Sequence, residues 1–249
     1  MNLLFNIGGL FQNSALVDTR THRNLYKFSF GYHMVKKKNN KPRSNSSARW
    51  LQRQSNDVYV KRARAEGLRS RAAFKIEQLD QRDKIFRPGQ IVLDLGAAPG
   101  GWCEYIVKKT GSTGNIVAID ILEMRPIAGV SIIQGDMSDQ AIWKQILDLI
   151  SDGRVDVVVS DMSPSLSGIK DRDEAQHQEL IDIATRIAIK TLRKNGIFAV
   201  KLFESAQRKA YMDSMKPFFR SIGIRKPDAS RAESKEIYMV AKGFIDDNG

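Results

Sequence analysis

The chain has 249 residues, a formal net charge of +12 and a single cysteine. This length is sufficient for one α/β domain with a full hydrophobic core, whereas one cysteine excludes a disulfide framework and a cysteine-based zinc cluster. The three histidines, His22, His33 and His177, are too scattered to predict a metal site, and no apolar run approaches the ~20 residues of a membrane span. We therefore expect a protein of a reducing, cytoplasmic compartment that binds neither a metal nor a membrane.

The first 33 residues differ in character from the rest of the chain. Met1–Phe11 is mildly apolar, but it lacks the charged start and the small-residue cleavage site of a secretory signal. A weak organelle-targeting segment is an alternative, although Asp18 and the poor helical periodicity argue against it. We expect a natural basic arm to begin at Met34 and residues 1–33 to be an extension outside the fold.

The positive charge is concentrated in the segment that follows. Residues 36–75 carry 13 Lys and Arg against two acidic residues, whereas residues 76–249 carry 24 basic and 25 acidic residues. Such a block is the electrostatic footprint of a polyanion, although Lys36–Arg43 alone fits a solvated tail equally well. Trp50 and Tyr59 lie among the charges and can stack on bases. Nucleic acid is the favoured partner, and an acidic membrane surface is second because no amphipathic stripe accompanies the charge.

We assign residues 34–69 to this arm and residues 70–245 to a catalytic domain. In the second segment, short apolar runs alternate with longer stretches of helical periodicity. Five runs predict buried strands: Ile91–Leu95, Asn115–Asp120, Ser131–Gln134, Val155–Ser160 and Gly196–Leu202. Three stretches predict helices: Trp102–Thr110, Ser138–Ile150 and Asp173–Lys194. This alternation is typical of a parallel sheet with helices on both faces.

The end of the chain changes rhythm. Asn195-Gly196 supplies a stop for the long third helix, and Tyr211–Ser221 also has helical character. Ile224–Asp228 and Glu236–Lys242 are strand-like, with no helical stretch between them. We therefore predict that an antiparallel pair closes the sheet. In sheets of this kind, ligands bind beyond the carboxyl ends of the strands.

A glycine-rich turn, Leu93–Trp102, ends the first predicted strand and opens a helix. Glycines allow a sharp turn and a close approach to a ligand, and a helix start offers free N–H groups. The glycine spacing fits neither a Walker A loop nor the dinucleotide fingerprint, so a nicotinamide dehydrogenase is a weak alternative. Asp94 in this turn suits a ligand that carries a cation, such as S-adenosylmethionine, which has both an ammonium and a sulfonium.

Two further carboxylates support that ligand. Asp120 ends the second strand, where a carboxylate can accept both hydroxyls of a ribose. Asp136 follows the third strand and is placed to accept from an adenine amino group. A single Asp at a strand end is more often a helix cap or a turn former. Three such acids after consecutive strands, together with the glycine turn, favour a site for S-adenosylmethionine.

From about residue 36 to residue 243, the sequence resembles the FtsJ/RrmJ family of ribose 2′-O-methyltransferases. The matching segments are Ser46–Leu51, Gly67–Lys75, Asp94–Trp102, Ser160–Pro164, Val200–Phe203 and Lys226–Tyr238. The resemblance implies a Rossmann-like methyltransferase fold with a mostly parallel seven-stranded sheet, an antiparallel terminal strand and helices on both faces. It also implies S-adenosylmethionine as cofactor and a uridine of large-subunit ribosomal RNA as substrate, in the A loop of the assembled subunit. We expect the chain to act as a monomer.

The resemblance also implies the residues of the site. The family's catalytic set falls on Lys75, Asp161, Lys201 and Glu236. The family's contacts to the methyl donor fall on Gly100, Trp102, Asp120, Asp136 and Asp161.

The chemistry of 2′-O-methylation fits these residue types. A ribose hydroxyl is a poor nucleophile, so an enzyme must position it and help to remove its proton. Lysine accepts a proton only when neutral, a form that burial and a second nearby cation both favour. Lys201 follows the apolar run Ile197–Val200, and Lys75 would supply the second cation. We predict Lys201 as the general base, with Lys75, Asp161 and Glu236 orienting the substrate and tuning that base.

Other readings stay open on the residues alone. Lys201 could be a lysine extending from a strand end to solvent, Glu236 an edge-strand charge and Lys75 one more charge of the arm. The same catalytic set serves methyltransferases of transfer RNA, messenger RNA caps and mitochondrial ribosomal RNA. A ribosome-assembly factor that binds RNA without catalysis is the alternative from another class.

Overall fold

The computed structural model describes residues 57–150, 152–165, 167–231 and 234–246. The predictions for residues 1–33, and those for the basic arm up to residue 56, including Trp50, lie outside these ranges. No helix within them is both long and apolar enough to span a bilayer.

The described residues contain six α-helices and seven strands. The helices are α1 (Val58–Ala65), α2 (Ala72–Asp83), α3 (Gly101–Thr110), α4 (Gln140–Asp148), α5 (Lys170–Thr191) and α6 (Arg208–Met215). The strands are β1 (Ile91–Leu95), β2 (Asn115–Asp120), β3 (Val130–Gln134), β4 (Val155–Ser160), β5 (Leu192–Phe203), β6 (Phe219–Arg225) and β7 (Glu236–Phe244).

The strands form one seven-stranded sheet in the order β3-β2-β1-β4-β5-β7-β6. All neighbours pair in parallel except at β7, which is antiparallel to both β5 and β6. The predicted fold class is therefore confirmed, including the closing antiparallel pair. The chain leaves β1 toward β2 and β3 and later returns to the other side of β1 as β4. This reversal of strand order opens a crevice at the carboxyl ends of β1 and β4.

Both faces of the sheet are covered. Helices α4, α5 and α6 bury side chains such as Ile146, Leu180 and Met215 against one face. Helices α2 and α3 bury Ile76 and Ile106 against the other face. Because the central strands are apolar on both faces, their ends were well defined in the sequence: β1, β2 and β4 have the predicted bounds.

Several predicted boundaries were wrong. The observed elements that differ most from the predictions are α4, which is Gln140–Asp148 instead of Ser138–Ile150, α5, which begins at Lys170 instead of Asp173, β5, which begins at Leu192 instead of Gly196, and β6, which is Phe219–Arg225 instead of Ile224–Asp228. Two of the errors have a clear physical reason. Helix α5 ends at Thr191 instead of Lys194, because the next residue, Leu192, is fully buried, extended and paired with Val155 of β4. Asn195, at a φ of 68°, therefore lies within β5 and does not stop the helix.

The second of these errors concerns the predicted helix Tyr211–Ser221, because the observed helix begins earlier, at Arg208, and is shorter. Helix α6 ends at Met215, and a short 3₁₀ turn that contains Pro217 follows it, since proline cannot continue the helical hydrogen bonding. Strand β6 then begins at Phe219, whose buried ring packs near Phe244, and it ends before Pro227.

Helix α1 belongs to the segment predicted as the arm, and it packs on the catalytic domain. Ala63 of α1 lies in a small apolar cluster with Phe74 of α2 and Ala229 of the β6–β7 connection. The Tyr59 and Phe74 rings are 5.6 Å apart. The last part of the basic segment is therefore held against the helix that carries Lys75.

Candidate active site

A cleft of about 650 Å³, open to solvent, lies at the carboxyl ends of β1, β2 and β4. It is lined by residues from α2 and its start, the glycine turn and the segments after β2, β3 and β4: Ser70, Ala72, Asp94, Gly96, Ala97, Ala98, Pro99, Gly101, Trp102, Asp120, Ile121, Leu122, Met137, Asp161, Met162 and Ser163. Of the residues predicted to contact the methyl donor, Trp102, Asp120 and Asp161 line the cleft. Gly100 and Asp136 lie beside it.

Gly96 and Gly100 of the turn differ in what surrounds them. Gly96 has a φ of 76°, and a Cβ there would lie 2.5 Å from the side chain and 3.2 Å from the backbone of Met162. Only glycine therefore lets the turn approach the segment after β4 so closely. Gly100 has a φ of 104° and precedes α3, where its N–H donates to Ala97 O. A Cβ on Gly100 would meet Ile127 and Arg69, so it shapes the turn from behind the cleft.

The carboxylates predicted for the ribose and the adenine lie at the same edge of the sheet. Asp120 is held by the backbone N–H groups of Ala98 (2.9 Å) and Leu122 (2.8 Å), and burial raises the pKa of its carboxyl. Asp136 accepts from the backbone of Ser138 at 2.8 Å and is partly buried. The N–H of Gly135 donates to Asp120 O, which brings the two segments together.

Asp94 is the most deeply buried carboxylate in the cleft. Burial, with the nearby charges of Asp161 and Asp120, raises its pKa to about 7, although a hydrogen bond from the Cys103 thiol opposes the shift. That thiol donates to Oδ2 at 3.0 Å, while Oδ1 has no hydrogen-bond partner among the described residues. A buried acceptor without a partner costs free energy, so Asp94 is suited to a cationic ligand.

The four residues predicted as the catalytic set converge next to the cleft. Lys201 Nζ, from the end of β5, donates to the backbone O (2.6 Å) and Oδ1 (3.0 Å) of Asp161, which follows β4. Lys75 Nζ, from α2, lies 2.8 Å from Glu236 Oε1 at the start of β7 and 3.7 Å from Asp161 Oδ2. Lys201 is only 4% exposed. Residues far apart in the sequence thus form one group of two amines and two carboxylates.

Sequence reasoning missed Tyr238, which lies at the centre of this group. Its hydroxyl donates to Asp161 Oδ1 (2.7 Å), lies 3.1 Å from Glu236 Oε1 and accepts from Lys75 Nζ (3.2 Å). Burial and the two carboxylates raise the pKa of this hydroxyl far above its usual range, so it stays protonated. Tyr238 could have been found from strand alternation, because it is two residues after Glu236 and faces the same side of β7.

The charge on Glu236 is strongly favoured. Burial alone would raise the pKa of this carboxyl, but the ammonium groups of Lys75 and Lys201 and hydrogen bonds from Lys75 and Ser230 outweigh it and lower the pKa to about 2. The Ser230 hydroxyl donates to Glu236 Oε1 at 2.8 Å. Glu236 is therefore a fixed anion that holds Lys75.

A buried histidine lies near the same strand end. His177 of α5 stacks on Phe203 with the ring centroids 3.9 Å apart. Burial, followed by the charge of Lys201, lowers its pKa to about 4, so the imidazole is neutral near pH 7. Within the described ranges, no group of three His, Cys, Asp or Glu side chains is arranged to hold a metal ion.

Comparisons with known proteins show which family the chain is similar to. A family described as FtsJ-like methyltransferase matches residues 68–244. The chain is 46% identical over 202 residues to the ribosomal RNA large subunit methyltransferase E of Hahella chejuensis, covering 81% of this chain and 98% of that protein. It is also similar to a crystal structure described as a ribosomal RNA methyltransferase from Plasmodium falciparum. That similarity has a TM-score of 0.65 at 30% identity and covers 71% of this chain and 98% of the other.

Proposed function

The chain belongs to the FtsJ-like methyltransferase family, and on that premise we propose that it transfers the methyl group of S-adenosylmethionine to the 2′-hydroxyl of a uridine in large-subunit ribosomal RNA. We propose the A loop of the assembled subunit as the place of modification, a step of ribosome biogenesis. One observation carries the proposal. Asp161 both lines the cleft and binds the buried amine of Lys201, so a methyl donor and a proton acceptor would be neighbours.

The cleft fits S-adenosylmethionine, the methyl donor of this family. Asp120 offers two carboxylate oxygens for the ribose, and Asp136 lies next to it for the adenine. Asp94 Oδ1 is a buried acceptor without a partner among the described residues, which suits the cationic end of the donor. When bound, the donor supplies an activated methyl group.

Lys201 is the proton acceptor of the proposed mechanism. Lys201 acts after its ammonium has lost a proton, because the neutral amine has two hydrogens and one lone pair, and Asp161 accepts hydrogen bonds from this nitrogen at two oxygens. The lone pair is then left for the proton of the 2′-hydroxyl. Lys75, Glu236 and Tyr238 hold Asp161 and one another in place, which keeps the amine oriented while the ribose oxygen is positioned at ~3 Å from the reacting methyl.

Donor binding should depend on pH through Asp94. The carboxylate form of Asp94 is the form that a cation stabilises, and its pKa is about 7 in the absence of ligand. We therefore expect the affinity for S-adenosylmethionine to rise with pH through about 7 and to fall by up to about tenfold per unit below it. Calorimetric titration between pH 6 and 8 measures this.

The Asp94→Asn variant is the control for that titration. It should bind the donor more weakly at high pH and should lack the component of the pH dependence that Asp94 contributes. If the two proteins show the same pH dependence, Asp94 does not face the donor's cation.

We propose that the basic arm, residues 34–69, supplies most of the protein's affinity for RNA, and that the catalytic domain, residues 70–245, supplies little of it. Deleting residues 35–56 should weaken RNA binding and lower the slope of log affinity against log salt by about 0.7 for each lost phosphate contact. Affinity for S-adenosylmethionine should change less than about twofold, because no cleft residue is removed. Filter binding at several salt concentrations measures the first two quantities, and calorimetry the third.

Deletion of residues 1–33 is the matched control, since we propose that this extension contributes to neither binding nor catalysis. Equal losses of RNA and donor affinity in the arm deletion would contradict the separation of the two roles.

The function is tested by incubating the protein with labelled S-adenosylmethionine and free ribosomal RNA, assembled large subunits or transfer RNA. We expect label in a single ribose of large-subunit RNA, with the highest rate on assembled subunits. Label in a base, or in transfer RNA alone, would contradict the proposal. Absence of label with every RNA would favour an assembly factor without catalysis.

We also propose that the enzyme acts as a monomer in the cytoplasm. All the groups of the candidate centre come from one chain, and the single cysteine is free and buried. Light scattering on the purified protein tests the oligomeric state.

A further inference from the structure

Asp57 joins helix α1 to the catalytic domain through two kinds of contact. Its Oδ1 accepts from the backbone N–H groups of Tyr59 (3.0 Å) and Val60 (3.3 Å) and so caps α1. Its Oδ2 forms an ion pair with Arg71, at the start of α2, and lies 3.5 Å from Nε of Arg231. The two paired side chains are only 10% and 7% exposed. The pair therefore lies inside the protein, although both residues belong to the basic segment of the sequence.

The contacts of Arg71 continue to the catalytic group. Arg71 Nη2 donates to the backbone O of Ala229, which is fully buried in the β6–β7 connection. The next residue, Ser230, donates to Glu236, and Glu236 holds Lys75 at 2.8 Å. Arg71 and Lys75 are also one turn apart at the start of α2, so α1 and the catalytic group are joined by two routes.

Stability alone does not explain such a pair. Taking two charges out of water costs free energy, and a protein with well-packed apolar side chains of similar volume in their place is often as stable or more so. Apolar contacts between Ala63, Tyr59 and Phe74 already hold α1 against α2. An ion pair adds a fixed orientation of α1 relative to α2, because the planar guanidinium of Arg71 must contact Asp57 and the backbone O of Ala229 at the same time.

We propose that Asp57 and Arg71 are positioning residues that fix the basic helix α1 relative to Lys75 and Glu236, so that RNA held by the arm presents its ribose to the cleft. This inference rests on the proposed function. Exposed Lys61 and Arg64 of α1 lie on the same short helix that Asp57 caps. A shift of α1 would move the RNA and leave the methyl donor in place.

The test compares Asp57→Asn with Asp83→Asn. Asparagine still caps α1 but does not carry the charge that pairs with Arg71. Asp83 is a matched control, since it is a buried carboxylate at the other end of α2 that pairs with Arg225. Both variants should unfold at lower temperature. Only Asp57→Asn should lower kcat at saturating RNA, by about tenfold or more, with donor affinity within about twofold of the unmodified protein.

Arg71→Lys supplies a second variant and a double-mutant cycle. Lysine keeps the charge but cannot meet both partners as a guanidinium does. We expect kcat to fall in Arg71→Lys and the double variant to lose little more than either single variant. An unchanged kcat in a folded Asp57→Asn protein, a change confined to KM, or additive losses would each overturn the proposal. If the unmodified protein methylates no RNA, the proposed function has failed instead.

Discussion

Replacing Lys201 with methionine should lower kcat by about 10²–10⁴-fold, the usual contribution of a general base. Methionine has a similar volume, so the apolar surroundings of the side chain stay filled, but it cannot accept a proton. Donor affinity should change little, because Lys201 binds Asp161 from outside the cleft lining. Single-turnover methyl transfer and donor titration measure the two quantities separately.

Lys242→Met is the matched control for this variant. Lys242 is also a strand lysine that pairs with a buried carboxylate, Asp83, but it lies opposite Ile197, four residues before Lys201 in β5. Its replacement should leave kcat unchanged. Methyl transfer at an undiminished rate by Lys201→Met would exclude Lys201 as the base.

Replacing Asp161 with alanine should damage both folding and catalysis. Asp161 accepts hydrogen bonds from Lys201 and Tyr238 and lies 3.7 Å from Lys75, so its loss leaves two amines to share Glu236. Removing one partner of a buried ion pair typically costs about 3–5 kcal/mol. We expect a loss of stability of that order, weaker donor binding and no detectable turnover.

Asp156→Ala is the control variant. Asp156 lies near the amino end of β4, the strand that Asp161 follows, and pairs with Arg193 at 3.2 Å. Urea unfolding should show a smaller loss of stability for Asp156→Ala, and its kcat should stay near that of the unmodified protein. Similar kcat values in the two variants would contradict a catalytic place for Asp161.

The sheet was largely predictable because its signals are local. Apolar runs bounded by Gly, Asp or Pro gave the bounds of β1, β2 and β4. The position of β7 between β5 and β6 was not predictable in this way, since nothing local in Glu236–Phe244 specifies its neighbours. Register across that strand is what sets Tyr238 opposite Lys201.

The contacts of the charged residues near the end of the arm were also not predictable from local sequence. In the sequence, Arg69 and Arg71 resemble the other basic residues that can meet RNA. In the structure, Arg69 pairs with Glu104 at 3.1 Å and Arg71 pairs with Asp57. A count of charges cannot distinguish a residue that meets a partner in solution from one that meets a carboxylate of its own chain. The predicted catalytic set needed a family resemblance, because Lys75 and Glu236 look ordinary in their local sequence.

The late position of β7 in the chain has a consequence for synthesis. Glu236 and Tyr238 leave the ribosome after every other group of the centre, and the strand that carries them also joins β6 to the rest of the sheet. A nascent chain that stops before residue 236 has the cleft, Lys75 and Lys201 but lacks the carboxylate and hydroxyl that hold Lys75. On the mechanism proposed above, we therefore expect competence for methyl transfer to be acquired only when translation of the final strand is finished.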